Sequence, residues 1–190
     1  MADVAIRKPV LAGRLGGSAT VRLTVAPAAG RVALRAPAES IAALSKALGL
    51  TLPNAPKTSR RAGARSALWI GPDEWLVIDE DGADLMAVLS GLRAVHSATD
   101  VSHRNVAIIV SGPGAETTLA AGCPQDLSLA SFPVGAASRT IFGKAEIVLL
   151  RTEEETFRVE CWRSFSDFVF GLLNEAAHDA GHCGRTALFS

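Results

Sequence analysis

The sequence has no surplus of charge. Its 19 Lys and Arg residues balance 19 Asp and Glu residues, which excludes the clustered excess of cations a nucleic-acid platform needs to displace counterions. The densest basic stretch, Lys57–Arg65, reads as part of a solvated loop. Cysteine is scarce too. Cys123, Cys161 and Cys183 are odd in number, widely spaced and without a C-x-x-C pair, a pattern that argues against a disulfide framework and fits a reducing cytoplasm. Long apolar runs are missing: a membrane span needs roughly 18–20 apolar residues, whereas residues 105–115 and 127–138 are shorter and contain Gly or Pro. Arg7, Lys8 and Arg14 interrupt any secretory leader at the N-terminus.

Chemical motifs are also lacking. Gly13-Arg-Leu-Gly16-Gly17 does not have the G-x-G-x-x-G spacing of a dinucleotide loop, and Gly143-Lys144 is followed by Ala145 where a phosphate-binding loop needs Ser or Thr. Ser111-Gly-Pro-Gly114 joins a strand to a helix, but Pro113 removes an N–H that a phosphate cradle would use. Asp100, Ser102 and His103 crowd together, yet an extended chain turns His103 away from the other two. They read as a strand-end turn and not as a hydrolytic triad. His178, Asp179, His182 and Cys183 have the residue types of a zinc site but would all come from one helix end, so a helix terminus and tail are expected there.

What is present is apolar. Hydrophobic residues make up 48% of the chain and charged residues 20%, and the mean hydropathy is +0.26. This is a globular composition with apolar surface to spare for a partner. Thr20–Val25 and Arg31–Ala36 alternate apolar and polar residues about a Pro27–Gly30 turn and are expected to pair as a hairpin. Pro37 opens a helix carrying Ile41, Leu44 and Leu48, and Gly49 closes it. Residues 51–63 read as a long loop. Arg65–Ile70 and Trp75–Ile78 read as strands, and Ala83–Leu92 as a helix.

The second half repeats this grammar. Asn105–Ser111 is a strand and Pro113 starts a helix. Strands follow at Ala136–Phe142, Ala145–Leu150 and Thr156–Cys161, with an acidic turn at Glu153–Glu155. A last helix over about Phe165–His178 carries an apolar stripe of Phe165, Phe168, Val169, Leu172, Leu173 and Ala176, with Ser164 in the capping position. Shared wording between the halves, Pro37-Ala-Glu39 with Pro113-Gly-Ala-Glu116 and Gly71–Val77 with Gly143–Leu149, suggests an internal repeat. The expected architecture is α+β with mostly antiparallel sheets: an N-terminal arm at 1–19, one domain at 20–180 of two interlocked lobes (about 20–95 and 96–180), and a tail at 181–190.

Five ordered stretches carry a family resemblance. They are Leu68-Trp-Ile-Gly-Pro-Asp-Glu-Trp-Leu-Val77, Asp100-Val-Ser-His-Arg-Asn105, Gly122-Cys-Pro-Gln-Asp-Leu127, Phe132-Pro133 with Ser138-Arg-Thr140, and Phe157-Arg-Val-Glu-Cys-Trp-Arg-Ser-Phe165. Together they resemble the gamma subunits of heterotetrameric sarcosine oxidase, within the wider folate-binding aminomethyltransferase family typified by the glycine-cleavage T-protein. The resemblance implies the pseudo-duplicated fold of that family. It also implies alpha, beta and delta partner subunits carrying FAD, FMN, NAD, tetrahydrofolate and zinc. The implied reaction is oxidative demethylation of sarcosine to glycine, with hydrogen peroxide and formaldehyde or methylene-tetrahydrofolate.

One departure stands out. Where the T-protein family has a G-x-x-D-D-like stretch with a catalytic Asp, this chain has Gly143-Lys-Ala-Glu146-Ile147. An aliphatic neighbour cannot orient or accept a proton. The expectation is therefore a non-catalytic accessory subunit with no cofactor, metal or catalytic residue of its own, with Trp162, Arg163 and Phe165 as candidate partner contacts. The alternatives are an independent folate-dependent aminomethyltransferase-like protein and an unrelated interaction module.

Overall fold

The computed structural model describes residues 10–183, of which 182 and 183 are described by backbone alone. Two antiparallel sheets pack face to face, and helices cover their outer faces. The first sheet contains Ser59–Ala62 (β4), Arg65–Gly71 (β5), Glu74–Asp79 (β6), Gly30–Arg35 (β3) and Ser97–Asp100 (β7), in the order β4-β5-β6-β3-β7. The second contains Leu15–Gly17 (β1), Arg22–Val25 (β2), Asn105–Ser111 (β8), Thr156–Trp162 (β11), Ala145–Glu153 (β10) and Ala137–Phe142 (β9), in the order β1-β2-β8-β11-β10-β9. Helices Ile41–Leu48 (α1) and Leu85–Ser90 (α2) cover the first sheet, and Ala115–Ala120 (α3) and Ser166–Cys183 (α4) cover the second.

Alternation along the inner strands builds three cores. In β6, Trp75 and Val77 turn toward the helices while Leu76 and Ile78 turn toward the other sheet. In β10, Ile147 and Leu149 face the helices while Val148 and Leu150 meet the first sheet. Strands buried on both faces read as near-continuous apolar runs. Each fully buried large side chain contributes about 1.5–3 kcal/mol. Trp75 is wholly buried and still satisfies its polar atom, its Nε1–H donating to the Pro53 carbonyl at 2.6 Å.

Local signals set the helix ends. Gly49, at φ 69°, adopts the left-handed conformation that stops α1. The Asp84 side chain accepts the Ala87 N–H at 2.9 Å and starts α2. Before α4, Arg163–Phe165 forms one short 3-10 turn, so the α-helix begins at Ser166 and Ser164 is not its cap.

The expected hairpin of residues 20–25 and 31–36 does not form. β2 pairs with β1 and β8, whereas β3 lies between β6 and β7. The Ala26 N–H still bonds the Ala107 carbonyl at 2.9 Å. Pro27 then offers no donor, and the chain crosses to the other sheet. The loop expected over residues 51–63 also gives up its end to β4, which pairs with β5 around Gly63 at φ 58°. Residues 15–17 of the expected arm form β1, and the Gly17 N–H donates to Asn174 Oδ1 at 2.9 Å.

Charge is buried between the sheets. Glu160 on β11 is 1% exposed and accepts from Arg31 Nε of β3 at 2.7 Å and from Arg158 Nε at 2.8 Å. Arg158 also reaches Glu80 at 3.0 Å, and Glu80 pairs with Arg61 at 3.0 Å.

Candidate functional site

The sheets splay at one end and leave a cleft of about 290 Å³. Its walls include Arg35, Glu74 and Ser97 from the first sheet and its edges, and Arg104, Arg139, Glu146 and Trp162 from the second. Strand register sets the far wall. Ile141 pairs with Glu146 across β9–β10, Ile147 pairs with Cys161 across β10–β11, and Trp162 pairs with Asn105 across β11–β8. Ile141, Glu146, Trp162 and Asn105 therefore form one row across four strands.

Most of the acids here are already engaged. Glu74 meets Arg35 at 3.3 Å and Arg139 at 3.0 Å. Glu160, at the base, holds Arg31 and Arg158. Glu146 is exposed and makes no hydrogen bond or ion pair among the described residues. Its neighbour Ile147 is 1% exposed and packs in the core beneath the helices. The strand pleat thus turns the two positions of the G-x-x-D-D-like stretch to opposite faces.

The three expected partner contacts do come together, at the junction of β11 and α4. The Trp162 and Phe165 ring centroids are 6.2 Å apart, and the Arg104 guanidinium sits 5.1 Å from the centre of the Trp162 ring. The Arg163 N–H donates to the Arg104 carbonyl at 2.6 Å and ties the junction to the end of β8. Trp162 is 40% exposed, Phe165 45% and Phe168 46%. The apolar stripe expected on the last helix is therefore split. Val169, Phe170, Leu173, Ala176 and Ala177 are buried, while Phe165 and Phe168 face outward. The buried face of α4 is turned past the expected stripe, taking in Phe170 and Ala177 and leaving Phe165 and Phe168 outside.

The other sequence candidates have local duties. Asp100 accepts the Ser102 N–H at 2.8 Å, and Ser102 Oγ accepts the Arg31 N–H at 2.8 Å. The Ser102 hydrogen bonds hold the Asp100 carboxyl below its ordinary range, with His103 adding a weaker pull. This is an Asx turn closing β7. In the Gly122–Leu127 stretch, Gln125 accepts from Ser138 at 2.8 Å. Asp126 accepts from Ser131 and Ser128, which lower its carboxyl to about 2. Cys161 is buried, and burial, reinforced by the Glu160 charge against Arg31, pushes its thiol up to about 12. Of the His178, His182 and Cys183 set, the last two side chains lie outside the described residues. Among the described residues no group of three or more His, Cys, Asp or Glu is placed to hold a metal ion.

Comparison with known proteins settles the family. The model of the sarcosine oxidase, gamma subunit family matches residues 31–179. The chain belongs to that family. It is 32% identical over 164 residues to the sarcosine oxidase subunit gamma of Corynebacterium sp. (strain P-1), covering 83% of this chain and 80% of the relative. It is 34% identical to that of Arthrobacter sp. over 123 residues, covering 62% and 60%. A chain of the heterotetrameric sarcosine oxidase from Corynebacterium sp. U-96, solved with pyrrole 2-carboxylate, superposes with a TM-score of 0.81 at 28% identity, covering 90% of each chain. Aminomethyltransferase T of the glycine cleavage system from Bartonella henselae shares the fold. Its TM-score is 0.61 at 14% identity, covering 82% of this chain and 45% of that one.

Within the gamma subunit family, the mixed helix and antiparallel-sheet architecture is therefore the expected one. Sequence reasoning missed Arg104 as the group stacked on Trp162, and Ile141 and Phe168 as exposed residues. Arg104 was visible as part of the Asp100–Asn105 stretch, but nothing local ties it to residue 162. Among the described residues no helix is long and apolar enough to cross a membrane.

Proposed function

We propose that this chain is the non-catalytic accessory subunit of a cytoplasmic heterotetrameric sarcosine oxidase. It assembles with alpha, beta and delta subunits that carry FAD, FMN, NAD, tetrahydrofolate and zinc. The enzyme oxidises sarcosine to glycine with oxygen, and this chain completes the complex without touching the reacting atoms. Family membership supports the assignment. The observation that carries the non-catalytic part is the pair Glu146–Ile147: one acid lies loose on the cleft wall, and its neighbour is an aliphatic side chain in the core. Among the described residues no second acid or base is presented beside Glu146 to move a proton in concert with it. Trp162, Arg163 and Phe165 are the partner contacts.

Co-expression with the other three subunits tests this. The chain is expected to copurify in one stoichiometric complex, to show no sarcosine turnover alone, and to stabilise the complex without changing its flavin spectrum. Failure to copurify refutes the reading.

We also infer that the fold arose by duplication. The order β4-β5-β6-β3-β7 matches β9-β10-β11-β8-β2 element for element, with β2 from the N-terminus standing where β7 stands in the first sheet. The single domain of two interlocked lobes follows from that exchange.

A folate-dependent aminomethyltransferase is the second reading, favoured only by the cleft with Trp162 and Glu146 on its wall. The residues do not fit a folate-directed acid–base role, because no hydrogen bond orients Glu146 and Ile147 faces away. Calorimetry with tetrahydrofolate decides: micromolar binding lost in Glu146→Gln supports it, and no heat of binding ends it.

A further inference from the structure

The exposed aromatic residues of this chain are not scattered. Among the described residues the large exposed aromatics are Trp162, Phe165 and Phe168, and all three lie around the start of α4. Ile141, 45% exposed, lies in the same row as Trp162, two strands away, with Glu146 between them. Exposed apolar residues grouped in this way mark an interaction site.

Two opposite charges flank the patch, and neither has an ion-pair partner among the described residues. Glu146 stands beside Trp162 on β10. Arg104 stands on the other side, at the end of β8. It is stacked on the Trp162 ring, and its Nε contacts only Asn105 Oδ1, at 3.3 Å. Two inter-strand spacings place their backbones roughly 10 Å apart. Every other acid on the cleft wall is consumed by arginine, so these two charges are the ones left to recognise something. Stacking pre-orients the Arg104 fork for a carboxylate.

Resting on the subunit reading above, we propose that this face seats a segment of another oxidase subunit. That segment presents a carboxylate to Arg104, a basic side chain to Glu146, and apolar atoms to Trp162, Phe168 and Ile141. The solved relative that superposes over 90% of this chain is a heterotetramer, and the opposed charges on this face fit another subunit, not a second copy, as the occupant. The opposed charges set the direction in which the segment lies, and the aromatic rings provide most of the contact area.

The test is assembly of the purified chain with its co-expressed alpha, beta and delta subunits, measured by biolayer interferometry at low and moderate salt. Glu146→Lys and Arg104→Glu are each expected to weaken assembly about tenfold or more, chiefly at low salt. Phe168→Ala is expected to weaken it at both salt concentrations. Glu39→Lys, an exposed acid at the head of α1, is expected to leave it unchanged. All these positions are exposed, and unchanged thermal unfolding confirms that each variant folds. Wild-type affinity in the charge reversals, with the native chain still assembling, overturns this inference alone. So does a homodimer of the isolated chain that Glu146→Lys dissolves. Absence of assembly by the native chain overturns the subunit reading and this inference with it.

Discussion

Replacing Glu160 by Gln should be among the most damaging isosteric changes in the chain. Glu160 is 1% exposed, and its two oxygens accept from two guanidiniums on opposite sheets, Arg31 at 2.7 Å and Arg158 at 2.8 Å. Both arginines are themselves buried, at 3% and 5% exposure. An amide keeps the shape but offers one acceptor and turns an NH2 group toward the second arginine. It also leaves Arg31 without a carboxylate partner and Arg158 with Glu80 alone among the described residues, and Arg158 Nη2 already lacks a hydrogen-bond partner. Breaking a buried pair from one side costs about 3–5 kcal/mol. In a domain of this size each 1 kcal/mol moves Tm by about 2–4 °C, so the midpoint should fall by about 6–20 °C. Calorimetric or circular-dichroism melts measure it. Adding Arg31→Met removes one stranded cation, so the double variant should lose less than the sum of the singles. A Tm for Glu160→Gln within about 2 °C of the native chain, or strict additivity, refutes the account of a sheet-to-sheet ionic clamp.

Other expectations follow from single groups. Cys161, buried and with its thiol pushed up to about 12, should resist alkylation at pH 8 in the folded chain and react once the chain is unfolded in urea; peptide mapping reads the site. Burial pulls the Asp79 carboxyl upward, but the Ala83 N–H and the Arg65 guanidinium outweigh it and hold it below 3.8, and Ser102 does the same for Asp100. The stability these groups add is complete above about pH 4 and is lost as the pH falls through their lowered values, so Asp79→Asn should flatten acid unfolding below about pH 4. Trp75→Phe leaves the Pro53 carbonyl without its 2.6 Å donor and a small void in the core, and should cost about 1–3 kcal/mol by urea unfolding.

The sequence by itself determined the inner strands, the glycine that stops α1 and the family. β5, β6, β8, β10 and β11 are buried on both faces or nearly so. Burial on both faces demands apolar residues in succession, and such runs are visible without a structure. The edge strands β1, β4 and β7 were not visible. β4 is Ser-Arg-Arg-Ala, held by backbone pairing and exposed side chains, so it leaves no apolar rhythm to read.

Tertiary structure alone decided which strand pairs with which. Alternation in residues 22–25 and 30–35 specifies two half-buried strands equally well as a hairpin or as members of two sheets. The choice fell to distant partners, Ile108–Ser111 for one and Glu74–Asp79 for the other. The same holds for the surface. Trp162 and Phe165 are neighbours in sequence, but Arg104, Glu146 and Ile141 join them only because β8, β10 and β9 come into register beside β11. Charges that share no local pattern become one site when hydrogen-bonded strands set them side by side.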